Sequence, residues 1–227
     1  MASTLQVIYD VKETLKKYSD DSDYDNRHIL YLCNLKRAKF LRQLLDDKTR
    51  NFDPILMQSF CLGFEEVSKD LCGITTSCTV MRSIKPLPRL LQVRNRNTLV
   101  SVKFAEVFAK TLKIIDFSQA PYVLDKPYNN SIYLTIDSNN YVYMISKLPE
   151  HKMIECLYFT GVFENPSELE DFNSCCNCNI VKSCFDEDTE YPAPSFIIDL
   201  IRDEVVKLYI TTKEKMIEDK DNNSDDN

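Results

Sequence analysis

Apolar residues in the opening stretch STLQVIYDVKETLKKY recur at helical spacing. Ile8, Val11, Leu15 and Tyr18 fall three, four and three apart, which puts them on one stripe of a helix that Ser3 or Thr4 can cap. A short acidic break, SDDSDYDN, supplies N-cap residues for a second helix, NRHILYLCNLKRAKFLRQLLDDK. There Ile29, Leu32, Cys33, Phe40, Leu41, Leu44 and Leu45 line one broad face. Arg37, Arg42 and Lys48 are expected to stay solvated at its edges, and the two helices to pack as a hairpin.

After Phe52-Asp53-Pro54 the helical period is lost. PILMQSFCLGFEEVSKDLC is apolar without a clean repeat and is assigned a strand around residues 55–67. The next stretch, up to VSVKF, is rich in Thr, Val and Ile but broken by Lys85-Pro86-Leu87-Pro88, the pattern of short strands and loops. The clearest β signal is SIYLTIDSNNYVYMIS, in which two β-rich runs flank Asp137-Ser138-Asn139-Asn140, a turn-forming tetrapeptide. IECLYFTGVF reads as a further strand. YPAPSFIIDLIRDEVVKLYITTKEKM opens on prolines and becomes a helix through Ile197, Leu200, Ile201, Val205 and Leu208. The expected fold class is α+β, with an N-terminal helical hairpin (1–52) and a C-terminal helix and acidic tail (191–227) around a β-rich middle (53–190), forming one structural unit.

Composition supports folding and narrows the chemistry. The chain has 227 residues, 44% of them hydrophobic, with 12 Tyr and 12 Phe, enough to bury a sizeable core. Only three glycines are present, Gly63, Gly73 and Gly161, so no glycine-rich phosphate cradle can be built. No secretory signal is visible at the N-terminus, and no window approaches the roughly 18 apolar residues of a membrane span. The protein is therefore expected to be made in a cytosol, with its nine cysteines mostly reduced.

Four of those cysteines, Cys175, Cys176, Cys178 and Cys184, crowd one loop and are weak candidates for a metal site. Structural zinc takes four ligands, commonly as two closely spaced pairs, and adjacent cysteines are poorly placed to point at one ion. Cys72 and Cys78 form a looser pair, again without a CxxC knuckle. The bland alternative is a surface or interface loop of inert thiols. The two histidines carry no constellation. His28 sits at a helix start as a capping or surface residue, and His151 lies in the polar turn PEHK. No HExxH or GxSxG occurs, and the expectation is a non-enzyme without cofactor.

Charge is segregated along the chain. The net charge is −7, yet residues 27–50 carry seven basic residues against Asp46 and Asp47, and residues 82–113 carry eight against Glu106. Residues 164–190 carry eight acids against Lys182, and the tail KEKMIEDKDNNSDDN carries six acids against three lysines. Separate basic and acidic blocks suit subunits stacked on copies of themselves or on other rings, since complementary patches fix register. The basic blocks lack interleaved stacking aromatics and the pI is near 5.0, unlike a dedicated nucleic-acid binder.

The order of motifs carries a resemblance. VKETLKKYSDDSDYDNRHILYLCNLKRAKFLRQLL is followed by LCGITTSCTVMRSIKPLPRLL, then IYLTIDSNNYVYMI, GVFENPSELEDF, the cysteine-rich loop, YPAPSFIIDLIRDEVVKLYI and DKDNNSDDN. Along nearly its whole length the chain resembles structural proteins of crAss-like bacteriophages, which infect gut Bacteroidales and whose head-to-tail connector is built from rings. The resemblance implies a virion protein that forms a ring between portal and tail. Twelve copies are expected, because portals of tailed phages are twelve-fold. The implied partners are copies of itself, the portal protein or neighbouring connector and tail rings, and the DNA passing through the channel, with no membrane. The terminal helices are the candidate docking surfaces, through Ile8, Val11, Leu15, Tyr18, Arg37, Arg42, Ile201, Val205 and Leu208. Two other classes remain open at this point: a small zinc-stabilised binding module using the cysteine cluster, and a phage enzyme acting on nucleic acid.

Overall fold

The computed structural model describes residues 2–18, 24–46, 53–68, 80–94, 97–104, 111–125, 131–147, 149–172 and 188–222. The chain divides into two compact units. The first gathers Met1–Leu56, Val93–Arg96 and Asp186–Asn227, and the second Met57–Gln92 and Asn97–Phe185. The fold class is α+β, with the N-terminal helices and the C-terminal helix in the first unit and the sheet in the second.

The first unit is a packing of three helices. Helix α1 (Thr4–Lys16) starts at Ser3, whose hydroxyl accepts from the Gln6 amide at 3.2 Å. Helix α2 (Asn26–Leu45) starts at Asp25, whose carboxylate accepts from the Arg27 amide at 3.1 Å. The C-terminal helix of this unit (Ser195–Asn222) follows Pro194, whose carbonyl accepts from the Ile197 and Ile198 amides at 2.9 and 3.1 Å. It packs on both α1 and α2. Val7, Ile8, Val11 and Leu15 of α1, Ile29, Leu32, Cys33, Ala38, Leu41 and Leu45 of α2, and Ile197, Ile201, Val205 and Val206 form the buried faces. Each Val, Leu and Ile among them contributes roughly 1.5–3 kcal/mol by leaving water. Ala2 and Ser3 also pair with the chain before the last helix: the Thr4 amide donates to the Thr189 carbonyl and the Tyr191 amide to the Ala2 carbonyl, both at 3.0 Å.

Two expectations are corrected here. Tyr18 is not on the buried stripe, because α1 ends at Lys16 and Tyr18 lies in the turn beyond it. Arg37 is not solvated but fully buried. The buried arc of α2 is wide enough to include Asn34 and Arg37, which face the segment Tyr191–Ala193. The Arg37 Nε–H donates to the Pro192 carbonyl at 2.8 Å, and the Tyr191 hydroxyl donates to Asn34 Oδ1 at 3.1 Å. A buried loop carbonyl needs a donor, and Arg37 supplies one.

The second unit is a mixed sheet. Among the described residues it has seven strands: β1 (Gln58–Val67), β2 (Val80–Ser83), β3 (Leu99–Lys103), β4 (Lys113–Ile114), β5 (Tyr133–Ile136), β6 (Val142–Ile145) and β7 (Cys156–Gly161), in the order β3-β7-β1-β2-β6-β5-β4. All neighbouring pairs are antiparallel except β4 with β5. The long strand β1 serves both halves, pairing through residues 58–63 with β7 and through 64–67 with β2. The strand expected over 55–67 thus begins three residues later, after a 3-10 turn at Pro54–Leu56.

Alternation along the strands sorts side chains between two faces. Phe60, Leu62, Phe64, Met81, Leu134, Val142, Met144, Leu157, Phe159, Phe163 and Phe172 belong to the larger core. Val67, Val80, Tyr143 and Ile145 form a smaller one with Ala120 of a short helix, α3 (Ala120–Asp125); the last helix, Ser195–Asn222, is therefore α4. Gly161 is required where β7 meets β3: a Cβ there would stand 2.9 Å from the Thr98 carbonyl oxygen and 3.4 Å from Leu99 Cα.

Candidate interaction surfaces

The cysteines Cys175, Cys176, Cys178 and Cys184, and likewise Cys72 and Cys78, lie outside the described residues. Among the described residues no group of three or more His, Cys, Asp or Glu side chains is placed to hold a metal ion. Cys33 and Cys156 are free, whereas Cys61 is disulfide-bonded, which departs at that position from the expectation of reduced thiols. His28 is exposed on α2, edge-on to the Tyr209 ring at 5.9 Å. His151 does not sit in a solvated turn: the 3-10 turn Pro149–Met153 buries it. No described helix is long and apolar enough to cross a membrane.

The docking candidates separate into two groups. Ile8, Val11, Leu15, Arg37, Ile201 and Val205 are covered by their own chain. Their stripes find their partners within the three-helix packing, which is why an apolar period alone does not mark an intermolecular surface. Tyr18, Arg42 and Leu208 are exposed.

The helices also expose Tyr31, Leu35 and Phe196, which the stripe reading passed over, and Leu200, which it placed on the apolar stripe of the last helix. On α2, Tyr31 and Leu35 are 61% and 51% exposed; on α4, Phe196 and Leu200 are 54% and 47% exposed. Each pair is separated by four residues and so forms a neighbouring couple on its helix surface. Tyr31 and Leu35 lie opposite Ile29, Cys33 and Arg37, and Phe196 lies opposite Ile201 and Val205. The signal was present in the sequence for three of them: Tyr31, Leu35 and Phe196 sit on the side of the wheel that the main stripe leaves open.

The charges around these pairs differ in sign. Helix α2 contains Arg27, Lys36, Arg37, Lys39 and Arg42 and no acid. Over residues 195–206, α4 contains Asp199, Asp203 and Glu204 against Arg202 alone. Within the chain, Lys36 meets Glu204 at 2.9 Å and Lys39 reaches it at 3.8 Å. The Lys36 ammonium, through its hydrogen bond and its charge, holds the Glu204 carboxyl below the usual carboxylate range. Arg202 lies 3.3 Å from both Asp199 and Asp203.

The second unit carries a shallow cleft of about 380 Å³ lined by the Lys85–Arg89 segment, Asn139, Asn140, Glu168, Asp171 and Phe172. Its polar groups largely satisfy one another. Lys85 Nζ donates to the Asp171 carbonyl and lies 5.6 Å from the centre of the Phe172 ring, while the Arg89 amide donates to Glu168 at 3.3 Å. Among the described residues lining the cleft there is no His, Cys, Ser or Thr side chain to serve as a nucleophile or its base.

Comparison with known proteins places these surfaces in context. Residues 6–227 match the family described as phage tail ring protein 2. The chain is also 26% identical over 222 residues to Ring protein 2 of Bacteroides phage crAss001, which spans 97% of this chain and 96% of that protein.

Proposed function

The chain belongs to the phage tail ring protein 2 family, and from that premise we propose that it forms a twelve-copy ring in the virion, joining portal to tail and lining the passage for DNA. The observation that carries this reading is the family match along essentially the whole chain, residues 6–227, together with the similarity in length and sequence to a curated ring protein. The number twelve follows from the twelve-fold symmetry of the portal on which such a ring would seat. The role is geometric and no chemical step is assigned to it. Synthesis takes place in the host cytoplasm, and the partners are further copies, the portal or an adjacent ring, and packaged DNA. Tyr18, Arg42 and Leu208 are the contact positions retained from the sequence reading, since they are exposed.

Quantitative peptide mass spectrometry on purified virions tests this function, with copies scaled to the portal protein. One copy per portal subunit is the expected ratio. Absence from virions overturns the reading. A fixed ratio of a different value keeps the virion role and overturns the twelve-copy ring.

A further inference from the structure

We propose that the exposed face of α2 in one copy packs on the exposed face of α4 in the next, and that this contact closes the ring. The inference rests on the ring reading and names the surfaces by which it is made. On α2 the face consists of Tyr31 and Leu35 with Lys39 and Arg42 beside them; on α4 it consists of Phe196 and Leu200 with Asp199 and Asp203.

Three observations carry it. First, both faces hold a couple of large apolar side chains about half exposed or more, although the same helices bury Ile29, Cys33, Leu41, Ile201 and Val205 against the rest of the unit. Apolar couples rimmed by charge are the surface pattern of a binding patch. Second, the charges are complementary. Helix α2 is wholly basic, whereas the first three turns of α4 carry three acids against one arginine. Lys207 follows that segment directly and falls on the same side of α4 as Phe196 and Leu200. Third, Tyr31 and Phe196 lie on the far sides of their helices from the core in which the buried stripes of α2 and α4 pack together, as the contacts of Lys36 with Glu204 and of His28 with Tyr209 record; Lys39, at the edge of the α2 face, also reaches Glu204 of its own copy at 3.8 Å. Two different, mutually complementary patches on one chain give a heterologous contact, the kind that generates a ring when its rotation closes. A face that met its own copy across a two-fold axis would instead set α2 against α2, with like charges opposed.

The test exchanges the charges and reads assembly by native mass spectrometry of the full-length chain. Lys39→Glu with Arg42→Glu makes both faces acidic, and Asp199→Lys with Asp203→Lys makes both faces basic. All four positions are on the surface, and circular dichroism checks that each variant is folded. Each variant alone is expected to lose at least tenfold in the assembled fraction at a concentration where the wild-type chain is assembled. An equimolar mixture of the two is expected to recover alternating oligomers, because every junction then sets an acidic face against a basic one. Recovery on mixing also shows that both variants were competent to fold.

Variants that assemble like the wild type overturn the face assignment and leave the ring reading intact. So do variants that stay monomeric when mixed. Variants that form wild-type rings but fail to enter virions reassign the faces to a neighbouring ring protein, again overturning the proposal. A wild-type chain that remains monomeric at every concentration, and is absent from virions, overturns the ring reading itself.

Discussion

Cys33 illustrates how a single buried side chain ties the helical unit to pH. It is fully buried on α2, and burial pushes its thiol up from 9.0 to about 12. In the unfolded chain the thiol ionises freely above its ordinary value, while in the folded chain it stays neutral. Its contribution is therefore complete below pH 9.0 and is lost as pH rises from there toward about 12. Burial also raises Tyr191 and Tyr209, which act in the same direction. Arg37 acts against them: burial holds its guanidinium down at about 10, with Tyr191 partly restoring it, so at high pH the folded state releases that proton first. The net alkaline slope is thus a balance, and Cys33→Ala isolates one part of it. The variant is expected to be less stable than the wild type at neutral pH by about 1 kcal/mol, the cost of a small cavity. By about pH 10.5 the wild type should have lost roughly 2 kcal/mol that the variant does not lose. Urea unfolding of both chains at the two pH values measures this, and parallel stability curves would refute the assignment.

At the scale of elements, the β5–β6 hairpin shows local chemistry fixing a tertiary position. Asp137 Oδ1 accepts from the Asn139 and Tyr141 amides at 2.9 and 2.8 Å, and the Tyr143 hydroxyl donates to Oδ2 at 3.3 Å. Asn140 then takes a positive φ of 63°, and its carbonyl accepts from the Leu87 amide at 2.7 Å, which anchors the Lys85–Pro88 segment to the hairpin tip. Asparagine tolerates this left-handed conformation and a β-branched residue does not. Asn140→Gly is expected to change stability by less than about 0.5 kcal/mol, and Asn140→Val to cost about 1–2 kcal/mol. Thermal unfolding distinguishes the two, and an Asn140→Val chain as stable as the glycine variant would sink the argument. This hairpin was legible in the sequence because alternating β-rich runs around a turn tetrapeptide leave few other structures open. Helical spacing likewise made legible the buried members of the α1 and α4 stripes, Ile8, Val11 and Leu15 and Ile197, Ile201 and Val205, though not the exposure of Tyr18, Leu200 and Leu208. Helix α3 and β4 were not, since a helix of six residues and a strand of two are too short to show a period. Nor was the burial of Arg37. A stripe gives the direction of the core but not the width of the arc it covers, and a helix packed on two elements buries flanking residues that composition would leave in water. The same uncertainty in arc width hid the difference between Ile201, which is buried, and Leu200, which is half exposed.

For the whole molecule, assembly must reconcile a net charge of −7 with association of identical chains. Copies of like charge repel at long range, so a ring requires local complementarity where they touch. In the proposed contact of α2 with α4 the segregation of charge supplies it, since α2 is basic and the start of α4 is acidic. Salt separates the local effect from the global one. Raising ionic strength from ~0.1 M to ~1 M shortens the screening length from about 10 Å to about 3 Å, removing most long-range repulsion while also weakening exposed ion pairs. If only net charge opposed assembly, salt would promote it in every variant. If the α2 and α4 faces direct it, wild type and charge-reversed chains respond in opposite senses. The wild-type chain should assemble less readily at high salt, retaining a residual contact through Tyr31, Leu35, Phe196 and Leu200. The Lys39→Glu, Arg42→Glu chain, whose two faces are both acidic, should assemble more readily as their repulsion is screened. Sedimentation velocity at fixed protein concentration across this range reads both trends. A common direction for the two chains would show that the charges flanking these helices do not choose the partner, leaving apolar burial and shape to determine how copies meet.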